Sequence, residues 1–180
     1  MSQTIATARL DLVSLGLAAI YALQEGRLGD AQKMIGAEVP AEWVEDVESP
    51  MHFRRLQMED DPSTQPWLLR AIVLRDQGKV VGHINFHAPP GTQGWVEIGY
   101  SILPAYRRRG IATEATLAMF EWAARHHGVR RFRASISPTN EPSLRMLEAL
   151  GDFKRIGTQW DEIDGEEIVF EMDASNPRPH

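Results

Sequence analysis

The stretch that most narrows the fold runs from Glu97 to Thr113: Glu-Ile-Gly-Tyr-Ser-Ile-Leu-Pro-Ala-Tyr-Arg-Arg-Arg-Gly-Ile-Ala-Thr. Trp95–Leu103 alternates as a strand does. From Ile111 onward, Ile111, Ala115, Ala118, Met119 and Trp122 keep helical spacing up to Gly128. Only a short basic turn separates the two elements. A chain that goes from strand to helix this abruptly leaves the first helical N–H groups facing the turn, at the positive end of the helix dipole. Such a place suits an anion, and phosphate above all. Gly110 lets a bulky anion approach the backbone, Ala112 keeps the same wall low, and Arg107, Arg108 and Arg109 add fixed charge. No Gly-Lys-Ser/Thr and no Gly-x-Gly-x-x-Gly is present, so the turn is neither a Walker loop nor a dinucleotide fingerprint.

The elements around it set the fold class. Ala8–Ser14 reads as a strand, and residues 15–60 as a helical block with breaks near Gly26, Pro40 and Pro50. Asp30 reads as the N-cap of a short helix ending at Ile35. Trp67–Leu74 and Lys79–Phe86 flank the turn Asp76-Gln77-Gly78. If the Ala88–Gly94 loop closes a hairpin pairing His87 with Trp95, Asn85 lies opposite Glu97 and His83 opposite Gly99. Phe132, Ala134 and Ile136 alternate, Pro142–Leu150 is a short helix, and Asp164-Gly165 joins two final strands as a two-residue hairpin. This order predicts an α/β (α+β) fold: one domain over residues 1–173, with a mixed, mostly antiparallel sheet of about seven strands. Helices cover both faces, and a disordered tail over 174–180 is expected.

Charge is unevenly placed. Residues 1–99 carry 8 basic and 13 acidic side chains, whereas residues 105–133 carry 7 basic and 2 acidic. A basic island in a chain of net charge −6 points to a local anion site rather than a polyanion-binding face, so nucleic acid is not the expected partner. The chain has no cysteine, which removes disulfides, thiolate metal sites and a cysteine nucleophile together. No apolar run reaches the roughly 18 residues of a membrane span, and Met1–Ala8 lacks a signal-peptide plan; a soluble, cytoplasmic protein is expected. His83 and His87 stand roughly 13 Å apart along a strand, too far to share an ion. They read as ordinary strand histidines, and no metal is expected.

Arg107-Arg108-Arg109-Gly110-Ile111-Ala112 resembles the pyrophosphate motif Gln/Arg-x-x-Gly-x-Gly/Ala of the GCN5-related N-acetyltransferase (GNAT) superfamily. Glu97-Ile98-Gly99-Tyr100 upstream, Asn140-Glu141-Pro142-Ser143-Leu144 downstream and Ala8-Arg9-Leu10-Asp11-Leu12 near the start resemble its ribosomal-protein-acetyltransferase-like (RimJ/RimL-like) branch. The likeness spans residues 8–172 and is strongest over 95–157. It implies acetyl-CoA as acyl donor, an amine acceptor (a small molecule or a protein N-terminus), and often a homodimer. It also implies that a splayed parallel strand pair holds the donor. Ile102 and Leu103 would pair with the pantetheine arm, and Arg107, Arg108, Arg109, Gly110, Ile111, Ala112 and Thr113 would form the pyrophosphate turn. Asn140 would bind the pantetheine and Ser143 would lie near the thioester sulfur. The family's Leu-Gly-Phe becomes Leu150-Gly151-Asp152-Phe153 here, which leaves the register of the following strand open.

The chemistry implied needs a base, because an alkylammonium with pKa near 10 must lose a proton before attacking a thioester. Glu97 stands where many family members place a carboxylate base, and Ser143, backed by Tyr100 and Tyr106, is the candidate proton donor to the leaving thiolate. With no cysteine to carry the acyl group, direct transfer in a ternary complex is expected. Two other readings stay open: an acyl-CoA-binding module without turnover, and a nucleic-acid binder using Arg130-Arg131-Phe132-Arg133.

Overall fold

A computed structural model describes residues 4–174. In chain order it holds β1 (Ile5–Ala6), β2 (Leu10–Ser14), α1 (Leu17–Gln24), α2 (Leu28–Ile35), α3 (Ala41–Asp60), β3 (Arg70–Leu74), β4 (Lys79–Phe86) and β5 (Trp95–Ile102). Then follow α4 (Ile111–His127), β6 (Arg131–Ile136), α5 (Glu141–Leu150), β7 (Lys154–Asp161) and β8 (Gly165–Asp173). The strands form one eight-stranded sheet in the order β1-β2-β3-β4-β5-β6-β8-β7, and every pair but β5/β6 is antiparallel.

The central strands are apolar because both of their faces are covered. β3 is buried along its whole length, as a strand between two helical layers must be. On β4, Phe86 meets Trp67, which meets Trp122 of α4. The alternate residues His83 and Asn85 meet Asp46 and Arg54 of α3. Helices α3 and α4 therefore lie on opposite faces. At the far edge β7 is exposed along nearly its whole length.

Several expectations are corrected. Pro50 does not open a helix but sits inside α3, where the buried Trp43, Val47 and Met51 continue one apolar stripe across it. Burial of that stripe outweighs the roughly 3 kcal/mol an interior proline costs. Asp30 is not a cap: Arg27 precedes the first turn of α2, and Asp30 pairs with it at 3.0 Å. Trp67 does not begin the next strand but ends a 3-10 turn over residues 62–67, started by Asp61, which accepts from the Ser63 N–H. The last hairpin has a three-residue turn, in which Asp161 Oδ1 accepts from the N–H groups of Ile163 and Asp164. Strand β1 is too short to show a period, which makes the sheet eight-stranded rather than seven.

The extra residue at Asp152 is absorbed locally. Phe153 still reaches the core beside Phe120, and the β7/β8 ladder is irregular between Arg155 and Gly157. Of the predicted tail, Ala174 extends the β6/β8 ladder by donating its N–H to the Arg130 carbonyl; residues 175–180 lie outside the described residues.

Candidate functional site

The one parallel strand pair opens into a cleft. Strand β5 pairs with β6 at Trp95↔Arg131, Val96↔Phe132 and Glu97↔Arg133, and pairing stops there. Each strand then follows its other neighbour: β5 stays with β4 up to Ile102, and β6 stays with β8 up to Ile136. Glu97 thus stands at the apex of a splay.

The ladder fixes which backbone groups face the gap. Leu103 donates its N–H to Val81, and His87 donates to the carbonyl of Glu97. Because an antiparallel ladder alternates, the odd-numbered residues from 97 to 103 spend their backbone groups on β4, and those of Tyr100 and Ile102 turn to the splay. The expected pairing partner Leu103 is therefore committed to β4, and the strand edge open to a ligand is Tyr100–Ile102. Arg107 Nε donates to the Ile102 carbonyl at 2.8 Å, which leaves the N–H of Ile102 and both groups of Tyr100.

Beyond the splay a cavity of about 760 Å³ runs to the start of α4. Ile102, Arg107, Arg108, Gly110, Ile111, Ala112, Thr113, Asn140 and Ser143 line it; Leu103 and Arg109 do not. Arg109 instead lies over the Tyr106 ring, 5.3 Å from its centroid. In the turn, Arg108 (φ 60°) and Gly110 (φ 74°) both take the left-handed conformation, and Arg108 is the one non-glycine residue to do so among those described. Backbone that switches hand at alternate residues turns successive N–H groups into one concavity, an anion cradle. An arginine holds this conformation only at the cost of backbone strain.

A support that sequence reading missed holds this cradle from behind. Arg9 donates Nη1 to the carbonyl of Arg109 at 2.9 Å and Nε to Glu114 Oε2 at 2.7 Å. Glu114 also accepts from the Thr7 hydroxyl at 2.6 Å. Burial opposes ionisation of Glu114, but the hydrogen bonds from Thr7 and Arg9 outweigh it and hold the carboxyl below the usual range. Arg9 stands in the Ala8-Arg9-Leu10-Asp11-Leu12 stretch of the resemblance, but nothing in that stretch pointed to the turn at Arg109.

The opposite wall is α5. Asn140 caps it, its Oδ1 accepting from the Ser143 N–H at 3.3 Å. This sets Ser143 Oγ 2.9 Å from the hydroxyl of Tyr100, across the cleft. Burial raises the Tyr100 phenol above its ordinary value, partly offset by the bond to Ser143. Tyr106 lines the cavity too, but its hydroxyl is turned away to Gln77, so it does not back Ser143. Arg145 and Met146, one turn further along α5, complete the wall.

Glu97 faces the other side of the sheet, toward α3. Its direct neighbour across β4/β5 is His87, not Asn85, and Asn85 lies opposite Gly99. The register is two residues from the expected one. Nδ1 of His87 lies 3.9 Å from Oε1 of Glu97, an oxygen that is buried and makes no hydrogen bond. The ring of His87 covers Gly99: a Cβ there would stand 2.7 Å from Nε2. Arg54 closes the back, donating to Asn85 Oδ1 at 2.7 Å and to the His87 carbonyl at 2.9 Å, while Asn85 Nδ2 donates to the Gly99 carbonyl at 2.9 Å. The His87 side chain keeps 45% of its surface open, yet the walls around it desolvate the ring enough to lower its pKa. Glu97 and Asp161 oppose that shift, and Arg54 adds to it. Glu167 of β8 also feels this side: burial, then the charges of Asp161, Asp164 and Glu97, raise its pKa against a hydrogen bond from Gln159.

Arg131 and Arg133 are not a free basic patch. Both bind Glu171, and Arg133 also covers the Trp95 ring at 4.0 Å. Among the described residues no group of three or more His, Asp or Glu is placed to hold a metal, and no helix is long and apolar enough to cross a membrane.

Residues 23–152 match the family described as acetyltransferase (GNAT) domain. The chain is 30% identical over 125 residues to the uncharacterised N-acetyltransferase YjdG of Bacillus subtilis, covering 67% of this chain and 73% of the relative. Two solved structures share the fold. RimJ of Mycobacterium smegmatis in complex with CoA-disulfide superposes with a TM-score of 0.67 at 20% identity, over 99% of this chain and 90% of that one. The ribosomal-protein-S5-alanine acetyltransferase of Vibrio fischeri superposes with a TM-score of 0.65 at 15% identity, over 98% and 100%.

Proposed function

Because this chain belongs to the GNAT acetyltransferase family, we propose that it transfers the acetyl group of acetyl-CoA to a primary amine by direct attack within a ternary complex. The observation that carries this reading is the splay after Glu97↔Arg133, continuous with a cavity that ends on the cradle at the start of α4. An extended pantetheine arm is itself a chain of amides. It fits the open edge at Tyr100 and Ile102, with the amide of Asn140 opposite. The pyrophosphate fits the N–H groups of Arg108 to Thr113. The thioester then lies at the apex, between the two faces of the sheet.

Each face supplies one proton movement. On the α5 side, the Tyr100–Ser143 hydroxyl pair delivers a proton to the sulfur as the C–S bond breaks. The Tyr100 N–H, which the splay leaves without a strand partner, suits the developing oxyanion. On the α3 side, the Glu97 region receives the proton that the nitrogen gives up as the N–C bond forms. The carboxylates Glu97, Asp161 and Glu167 make that side attractive to a cationic amine. The ribosomal-protein acetyltransferase among the structural neighbours makes a protein N-terminus one candidate acceptor, and a small amine the other. Acetyl-CoA and a chain without cysteine suit a reducing cytoplasm.

Release of CoA thiol from acetyl-CoA, screened over a panel of amines and N-terminal peptides, tests this reading. Amine-dependent release supports it. Tight acetyl-CoA binding with no amine-dependent release identifies a binding module instead.

A further inference from the structure

The carboxylate at the apex does not stand alone, and its partner is a histidine that nothing in the sequence motif singles out. His87 and Glu97 face each other on the α3 side, Nδ1 to Oε1, with that oxygen otherwise unpaired. Gly99 has no side chain, and the imidazole takes the space a Cβ would need, so Nε2 rests directly over the strand next to the splay. The ring is hemmed by Arg54 from α3 and stays partly open to solvent.

We infer that His87 is the group that takes the proton from the attacking amine, and that Glu97 acts through it. Glu97 would hold the Nδ1–H, leaving the Nε2 lone pair over Gly99, and would balance the imidazolium that forms. This rests on the acetyl-transfer reading above. It turns Glu97 from the base into a positioning residue and makes His87 catalytic. In the balanced step the amine nitrogen bonds to the acetyl carbon and its proton passes to Nε2. The C–S bond breaks and the sulfur takes a proton from the Tyr100–Ser143 pair, which regains one from solvent as His87 releases its own. The distance of 3.9 Å is compatible with this role, since catalytic hydrogen bonds often tighten only when substrate binds.

Three observations favour the imidazole over the carboxylate as the proton acceptor. Glu97 Oε1 is buried, whereas the His87 ring is accessible. Burial and Arg54 lower the pKa of the ring against the opposing pull of Glu97 and Asp161, which favours the neutral form whose lone pair is available. A carboxylate that orients a histidine through Nδ1–H is a recurrent arrangement, in which the histidine moves the proton and the carboxylate does not.

Nitrogen-15 NMR of the histidine side chains of the intact protein tests the pair without any acceptor, with the His87 signal assigned by its loss in His87→Gln. The expected result is a neutral ring protonated at Nδ1 and bare at Nε2. In Glu97→Gln that preference should be lost and the ring should titrate at lower pH, because the charge that raises its pKa is gone. A ring protonated at Nε2 in the native protein overturns the inference. Turnover with the best amine of the panel supplies the second readout. His87→Gln should lose about 10²-fold or more in kcat, and Glu97→Gln should lose less while its acidic limb of kcat/KM moves to lower pH. Native turnover in His87→Gln overturns the inference and leaves acetyl transfer standing. If no amine is acetylated, acetyl transfer fails, and the tautomer still decides the pair. Acetyl-CoA should stabilise both variants as it does the native protein, which separates loss of chemistry from loss of fold.

Discussion

Nη1 of Arg9 donates to the carbonyl oxygen of Arg109 at 2.9 Å, tying the loop before β2 to the turn that opens α4. The two residues are a hundred positions apart, and the bond holds the carbonyl between Arg108 and Gly110 from behind. Arg9→Ala should weaken acetyl-CoA binding by roughly 3- to 10-fold, within the range of a single charge-assisted hydrogen bond at an exposed site. Its kcat at saturating acetyl-CoA should stay within about twofold. Isothermal titration and steady-state kinetics check the split; an unchanged dissociation constant would mean the cradle holds its shape without Arg9.

Gly110 has φ 74° and forms the rim of the same cradle. Acetyl-CoA at a hundredfold excess over its dissociation constant should stabilise the native protein by about 2.7 kcal/mol. Gly110→Glu should lose most of that shift, since the carboxylate would repel the pyrophosphate and the backbone there resists any side chain. Thermal denaturation with and without acetyl-CoA checks it. Equal shifts in the two proteins would put the donor elsewhere.

Ser143→Ala and Tyr100→Phe divide the leaving-group side. If the hydroxyl pair protonates the thiolate, each should lower kcat by about tenfold or more, with acetyl-CoA affinity changed only a few-fold. The phenol is held above 10.0 by burial, so the donor stays protonated through the working range, and the native rate should show no alkaline limb below about pH 10 from this group. A pH–rate profile of the native enzyme and both variants checks this; unchanged rates in Tyr100→Phe would leave Ser143 or water as the donor.

His83 makes a separate claim about stability. It is buried on β4 beside Asp46, and burial lowers its pKa to about 4 against the attraction of that carboxylate. Between about 6.5 and about 4 the unfolded chain binds a proton that the folded chain does not, so stability falls as pH falls through that window. At pH 5 the loss from this residue should be about 2 kcal/mol relative to pH 7.5. His83→Gln should flatten the dependence, measured by urea denaturation at both pH values. Equal slopes in the two proteins would show that His83 does not carry it.

The long helix α4, its capping Gly128 and the cradle at its start were legible because period, stop signal and turn all lie in one continuous segment. The register between β4 and β5 was not. Trp95 and Val96 begin β5 by pairing with β6, so they are not the hairpin partners that the Ala88–Gly94 loop suggests. A slip of two residues keeps every side chain on the same face, and the hydrophobic pattern cannot detect it. That slip is what hid His87 as the neighbour of Glu97. Arg9 was hidden for a different reason: its partners are a carbonyl and a carboxylate a hundred residues away, and only the packed fold brings them together.

In the proposed reaction an acetyl group leaves acetyl-CoA at the splay and arrives on an amine nitrogen. The most direct measurement follows both products in one reaction, free CoA thiol by colour and acetylated amine by mass spectrometry, for the native protein and for Gly110→Glu. One acetylated amine per thiol from the native protein, with neither product above background from Gly110→Glu, is the predicted result. Thiol released without acetylated amine, at the same rate in both proteins, would contradict it.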